Sequence, residues 1–146
     1  MSDTQKQMLY DWENSQKWRY PRVPGTAKPD ILTTPQCRAL VRRVLRAYDC
    51  KMVSVRVGHG NGSRGGADRI ILSRQHHVVP IVLHETAHSI CAQRGNYVQH
   101  GPVFVRMFIE LLASYMHLNK SELLRSARAY GLKVAPWSAL KRKAPL

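Results

Sequence analysis

The chain has 146 residues, of which 44% are hydrophobic, a size and composition typical of one globular domain with its own core. No apolar run is long enough to cross a bilayer, and the N-terminus lacks the basic-then-apolar layout of a secretion signal, so we expect a cytoplasmic protein without a membrane partner. The net charge is +14, from 23 basic and 9 acidic residues, and such a balance favours contact with nucleic acid through a basic surface. The three cysteines, Cys37, Cys50 and Cys91, match no zinc or redox spacing, which excludes a disulfide framework and predicts buried free thiols.

The N-terminal part of the chain predicts one helix followed by a loop. Ser2 with Gln5 resembles a capping box, and residues 3–17 then place apolar side chains on one helical face. Prolines and a glycine break any helix between residues 21 and 29. Residues 1–33 are therefore predicted to form a leading helix and loop.

A second helix is predicted to follow directly. Thr34 suits an N-cap and Pro35 the first helical position, and apolar residues then recur at helical spacing as far as Tyr48. The opposite face of this helix is basic, and both a solvated surface and a phosphate-binding surface remain open for it. The basic residues are Arg38, Arg42, Arg43 and Arg46.

Two short strands are predicted next. Residues 52–57 and 68–73 alternate and are rich in β-branched side chains, and a glycine-rich segment, 59–66, separates them. This pattern predicts a hairpin with a long tip.

The rest of the chain is predicted to be helical. Helices are expected over residues 80–94, 102–116 and 119–130, and a basic tail follows over residues 136–146. Helices combined with a small sheet predict the α+β class, in a single domain that spans residues 1–146.

The most informative segment reads His-Glu-Thr-Ala-His, from His84 to His88. Residues four apart lie one turn apart on the same helical face, so these two imidazoles can bind one metal ion together. The apolar residues of the same helix lie on a different face from the two histidines. We therefore expect the apolar side to be buried in the core and the histidine side to be exposed. Zinc suits imidazole nitrogens, and Glu85 is placed to act as the general base on a zinc-bound water.

A catalytic zinc site needs a third protein ligand, and the residues themselves leave two candidates. The metzincin extension is excluded, because Cys91 and Arg94 stand where it requires glycine and histidine. Glu110 could serve from the next helix, and His100 could fold back over the metal from the turn before it. Cys91 is expected to be a packed thiol beside the site.

Four other histidines and one tyrosine have no assigned role. His76 and His77 precede the motif helix, where contact with substrate and a plain loop role are both open. His59 and His117 have no evident partners. Tyr97 is a candidate to stabilise an oxyanion, with packing as the alternative.

The run from His84 to His88, together with His100-Gly-Pro-Val-Phe104, resembles the SprT-like (Spartan-type) zinc metallopeptidases. The similarity is closer still to a group of small uncharacterised bacterial and phage metallohydrolases of that superfamily. It rests there on Asp3-Thr-Gln-Lys6, Gly62-Ser-Arg-Gly65 and the run from Ser126 to Leu132.

The resemblance implies a minimal zincin-like fold in which His84, His88 and His100 hold one catalytic zinc and Glu85 is the base. It implies a peptide bond in a protein or peptide as substrate, with residues 68–73 as the edge strand along which it lies. A phage-encoded relative would act in the host cytoplasm. Spartan-type relatives degrade proteins crosslinked to DNA, but this chain has neither a second, DNA-binding domain nor a cysteine-rich zinc ribbon.

Two other functions remain open at this stage. The charge favours a nucleic-acid-binding protein in which zinc is structural or vestigial. The same ligand set would also serve a metal-dependent hydrolase that acts on a non-peptide bond.

Overall fold

A computed structural model describes residues 5–58, 60, 62–73, 77–96 and 98–140. These residues form helices around a small three-stranded sheet, which confirms the α+β class. No helix in them is long and apolar enough to cross a membrane. The helices are α1 (Lys6–Ser15), α2 (Thr34–Ala47), α3 (Val79–Gln93), α4 (Pro102–Met116) and α5 (Lys120–Ala129), with short 3-10 helices at Lys17–Arg19 and Trp137–Leu140. The strands are β1 (Ser54–Val57), β2 (Arg64–Gly65) and β3 (Arg69–Leu72).

The helix starts differ in detail from the predicted ones. Thr33, not Thr34, caps α2: its hydroxyl accepts a hydrogen bond from the amide of Gln36, whose side chain accepts one from the amide of Thr33. The predicted capping box at the N-terminus involves Ser2, which lies outside the described residues. Gln5 is the N-cap of α1, but its side chain makes no capping bond there.

The predicted hairpin is wrong, because β1 pairs with β3 in parallel. The glycine-rich connection is not a free tip; it contains β2, which pairs antiparallel with β3 and leaves the sheet order β1-β3-β2. Both sides of β3 are therefore occupied. The prediction that residues 68–73 form an edge strand for a substrate is wrong for the same reason, and β2 lies at that edge instead.

Helix α3 is the centre of the fold. It packs against α2, α4, β2 and β3, and most of its residues are buried. The expectation that the histidine side of this helix is exposed is therefore wrong, since His84 and Glu85 are both less than a tenth exposed. The side chains of His84 and Glu85 therefore lie below the surface of the protein rather than on it.

Strand β2 lies directly on α3. A β-carbon added at Gly65 would be 2.0 Å from the backbone oxygen of Glu85, so only glycine allows this approach. The strand and the motif helix are thereby held in backbone contact beside the histidines.

Candidate metal centre

The structure brings the three predicted histidine ligands together. One ring nitrogen from each of His84, His88 and His100 can be chosen so that all three lie within 4.8 Å of one another. The Nε2 atoms of His88 and His100 are 3.0 Å apart. The two α3 histidines have ring centroids 5.0 Å apart, as expected for neighbours one helical turn apart. These three imidazoles lie close enough to bind one metal ion.

The turn between α3 and α4 delivers the third histidine. His100 adopts a left-handed backbone with φ of 54°, and Gly101 and Pro102 then start α4. The side chain of Gln5 donates a hydrogen bond to the carbonyl of His100 at 2.9 Å and accepts one from the amide of Lys133 at 2.6 Å. The start of α1 therefore holds this turn against the C-terminal segment.

Glu110, the other candidate ligand, has different partners. Its two carboxylate oxygens accept from Arg106 at 2.9 Å and from Lys120 at 2.7 Å. It is not part of the histidine group. Of the two candidates that the residues left open, the structure places His100 at the centre.

A buried acid beside the centre, Glu13, was not among the predicted site residues. Its Oε1 lies 3.0 Å from Nδ1 of His84, and both side chains are less than a tenth exposed. This contact leaves Nε2 of His84 as the nitrogen available to a metal. Histidine ligands commonly give their other ring N–H to a carboxylate, which fixes the tautomer and orients the ring. The burial of Glu13, though not its partner, could have been inferred from α1, because Glu13 follows Leu9 by four residues and shares its buried face.

Burial and neighbouring charges set the protonation of the two α3 ligands. Burial, reinforced by the charges of His84 and His100, lowers the pKa of His88 to about 2. Burial also disfavours the charged form of His84, but the carboxylates of Glu13 and Glu85 outweigh it and raise the pKa of that ring. His88 is thus held neutral, the form that binds a metal.

Glu85 is a basic carboxylate in this setting. Burial raises its pKa, the charge of His84 opposes this, and the charge of Glu13 adds to it. A carboxylate whose pKa lies above the ordinary value holds a proton more readily than one in water.

Aromatic rings pack the ligands from both sides. Phe104 stacks on His88 with ring centroids 4.1 Å apart and an interplanar angle of 20°. Tyr10 lies 6.2 Å from the ring of His84 and meets His100 edge-on at 5.6 Å. The rings that would hold a metal are therefore fixed by packing before any metal binds.

Two recesses open onto the centre. The smaller, of about 190 Å³, also includes Lys6 and Arg64 in its wall. The larger, of about 500 Å³, extends toward Arg19. Both recesses share Tyr10, Ser63, His84 and Glu85.

Among the remaining candidates that the structure describes, His77 and His117 are not part of the histidine group. His59, His76 and Tyr97 lie outside the described residues. The ring of His77 bonds the carbonyl of Ser73, and exposed His117 caps the far end of α4.

The three cysteines are free, as predicted. Cys37 and Cys91 are buried, whereas Cys50 is half-buried. Burial is the main cause that raises the pKa of Cys91 to about 12, so its thiol is neutral. Although Cys91 lines a small recess with His88 and Phe104, it is not part of the metal-binding group.

No protein-family model, no curated protein and no solved structure matches this chain.

Proposed function

We propose that this chain is a zinc-dependent metallopeptidase of the SprT-like type, with a minimal zincin-like domain. In this proposal His84, His88 and His100 hold one zinc ion, and Glu85 is the general base. The observation that carries it is the convergence of three imidazoles, whose ring nitrogens can lie within 4.8 Å of one another. A buried carboxylate, that of Glu85, lies beside them on α3, the helix that also carries His84 and His88.

The donor set suits zinc. Three neutral imidazoles are a common catalytic zinc set, and they leave one coordination position for water or substrate. When bound, zinc polarises the scissile carbonyl and makes water acidic enough to ionise near neutral pH. The Glu13 carboxylate on Nδ1 of His84 supports this reading, because such partners orient a ligand ring and raise its basicity.

Glu85 supplies the proton transfer. Its side chain lines both recesses next to His84, where a carboxylate oxygen can take a proton from the attacking water. The same oxygen then passes that proton to the leaving amine nitrogen. A raised pKa suits both steps, since the group must accept a proton and release it again near neutral pH.

The edge of the sheet suits an extended peptide. Strand β2 lies at that edge, and its residues Arg64 and Gly65 line the smaller recess with His84, His88 and His100. A peptide that adds to such an edge makes main-chain hydrogen bonds whatever its side chains are. In this arrangement β2, rather than β3, aligns the scissile bond.

Metal analysis and two substitutions test the proposal. The purified chain should carry one zinc, and His100→Ala should lose most of it. Glu85→Gln keeps the shape of the side chain, so it should retain zinc and lose hydrolysis of an unfolded protein such as casein by roughly 10²- to 10⁴-fold. Cleavage by the Glu85→Gln variant at the parental rate would exclude Glu85 as the base.

A second candidate function is nucleic-acid binding, and the surface of α2 favours it. Its four arginines, at positions 38, 42, 43 and 46, are all exposed, on a chain with a net charge of +14. Binding of DNA should weaken steeply with salt and should fall in the double variant Arg42→Gln, Arg46→Gln. DNA binding with no hydrolysis in the zinc-loaded parent would favour a binding protein with a structural zinc. DNA binding together with hydrolysis would favour a protease of DNA-associated proteins.

A further inference from the structure

The larger recess beside the metal centre is lined by chemically different groups. His84 and Glu85 of α3 line it together with Asn14 and Arg19 from the N-terminal segment. Its volume of about 500 Å³ is enough for several side chains of an extended peptide. A substrate bound at the histidines therefore has neighbouring groups in reach of Arg19.

Arg19 has unused hydrogen-bonding capacity. Its Nε is buried and has no hydrogen-bond partner, although buried donors are normally paired. Its guanidinium forms no ion pair with any acid in the described part of the chain, and its Cζ lies over the ring of Tyr20, 5.3 Å from the ring centroid. A guanidinium stays charged at all ordinary pH values and offers five donors in a planar fork.

The backbone of Arg19 is held in place by its neighbour. Trp18 packs edge-on against Trp12 at 5.4 Å and against Phe108 at 6.0 Å, which anchors the 3-10 helix to the core. Rigid placement lowers the entropy lost when a ligand binds.

The other charged groups of the recess already have roles. Glu13 is bonded to His84, and Glu85 is the proposed base. Among the described lining residues, Arg19 is the one with a fixed positive charge.

We propose that Arg19 is a specificity-determining residue that binds a carboxylate of the substrate in the recess beside the histidines. The carboxylate is that of an aspartate or glutamate side chain, or the C-terminus of a peptide. Guanidinium and carboxylate match each other as a planar, two-bond pair, which Lys cannot reproduce. This inference rests on the proposed peptidase function and names its substrate class.

A binding measurement tests the assignment without hydrolysis. Zinc-loaded Glu85→Gln protein is titrated with fluorescein-labelled hexapeptides of alanine that carry one central Glu or one central Gln, both with amidated C-termini. A third probe carries the central Gln and a free C-terminal carboxylate. One acidic probe should bind roughly tenfold more tightly than the neutral probe. The better acidic probe identifies the source of the carboxylate.

Charge-matched variants separate Arg19 from the general basicity of the chain. Added to Glu85→Gln, Arg19→Gln should abolish the preference for the acidic probe, and Arg19→Lys should restore only part of it. Lys17→Gln removes the same charge from the same 3-10 helix, but Lys17 is exposed and does not line the recess, so the preference should persist.

Equal binding of all probes by the parent, or equal loss of preference in the Lys17 and Arg19 variants, would overturn the proposal. The peptidase function is judged separately, on cleavage of a peptide library by the parent with intact Glu85. Arg19-dependent binding without any cleavage would retain the carboxylate site and remove the peptidase. Cleavage without a preference for acidic residues would retain the peptidase function and remove the carboxylate site.

Discussion

At the scale of single residues, Glu13 shows how a distant side chain can prepare a ligand. It comes from α1, 71 positions before His84, and its carboxylate oxygen lies 3.0 Å from Nδ1 of that ring. A buried carboxylate in this position fixes which nitrogen carries the proton and increases the electron density on the other.

Glu13→Gln should therefore weaken zinc binding by roughly 10- to 100-fold while the fold is kept. Competition with a chromogenic chelator measures the affinity. Asp11→Asn is the matched control, because Asp11 lies on the same helix but is exposed and bonds only Gln7 among the described contacts. An affinity that is unchanged in both variants would show that Glu13 serves stability alone.

Tyr48 makes stability depend on pH in the alkaline range. Burial, with smaller effects of Glu110 and Tyr115 against Arg94, raises the pKa of its hydroxyl to about 12. The unfolded chain loses this proton first, near pH 10, so ionisation favours unfolding. Stability from this group is complete below pH 10 and is lost as the pH rises to about 12.

Urea unfolding at pH 8, 10 and 11 tests this dependence. The free energy of unfolding should fall between pH 10 and 11, and Tyr48→Phe should flatten that fall. Exposed Tyr130→Phe is the control and should leave the fall in place. A Tyr48→Phe profile as steep as that of the parent would assign the pH dependence to other groups.

At the scale of elements, the turn between α3 and α4 depends on the start of α1. The side chain of Gln5 donates hydrogen bonds to the carbonyls of His100 and Lys133 and accepts one from the amide of Lys133. The turn itself is tight, since a β-carbon on Gly101 would lie 2.7 Å from Cγ1 of Val98.

Gln5→Ala should remove the side-chain partner of these backbone groups, at a cost of about 1–3 kcal/mol in stability. Zinc affinity should fall as well, because the backbone of a ligand loses its support. Calorimetric unfolding and chelator competition measure the two effects, with exposed Gln7→Ala as the control. A loss of stability with unchanged zinc affinity would show that the turn holds His100 without Gln5.

The contact of β2 with α3 gives a second prediction at this scale. Gly65→Ala should push the strand away from the backbone of Glu85, at a cost of about 1–3 kcal/mol from overpacking, and should impair hydrolysis. Gly66→Ala is the adjacent control, since the nearest atom to its added β-carbon is 3.9 Å away. Thermal unfolding and casein cleavage measure the two effects. Equal stability and equal cleavage by the Gly65 and Gly66 variants would contradict the prediction.

At the scale of the whole molecule, the features that local interactions determine could be predicted from the sequence. The spacing of His84 and His88 is set by one helical turn, and the helices of the second half were predicted to within one or two residues of their ends. On the residues alone the third ligand stayed open between His100 and Glu110, with geometry on the side of His100, and the resemblance strengthened that preference. These features depend on neighbours in the chain.

Features that depend on long-range pairing could not be predicted. The two-residue strand β2 has no alternation to detect, yet it decides the order of the sheet and which strand lies at its edge. The contact of Glu13 with His84 joins residues 71 positions apart, and nothing in the local sequence of α1 names its partner. Near-complete burial of α3 likewise reflects packing by four other elements.

The bonds of Gln5 have a consequence for the order in which the protein matures during synthesis. A ribosome makes Gln5 early, but its partner Lys133 follows 128 positions later. Until then the loop that carries His100 lacks the hydrogen-bonded link through Gln5 to Lys133, although the three histidines have already been translated. Metal capture on a nascent chain would therefore use a loose site, and the rigid one is completed only when the last helices have emerged.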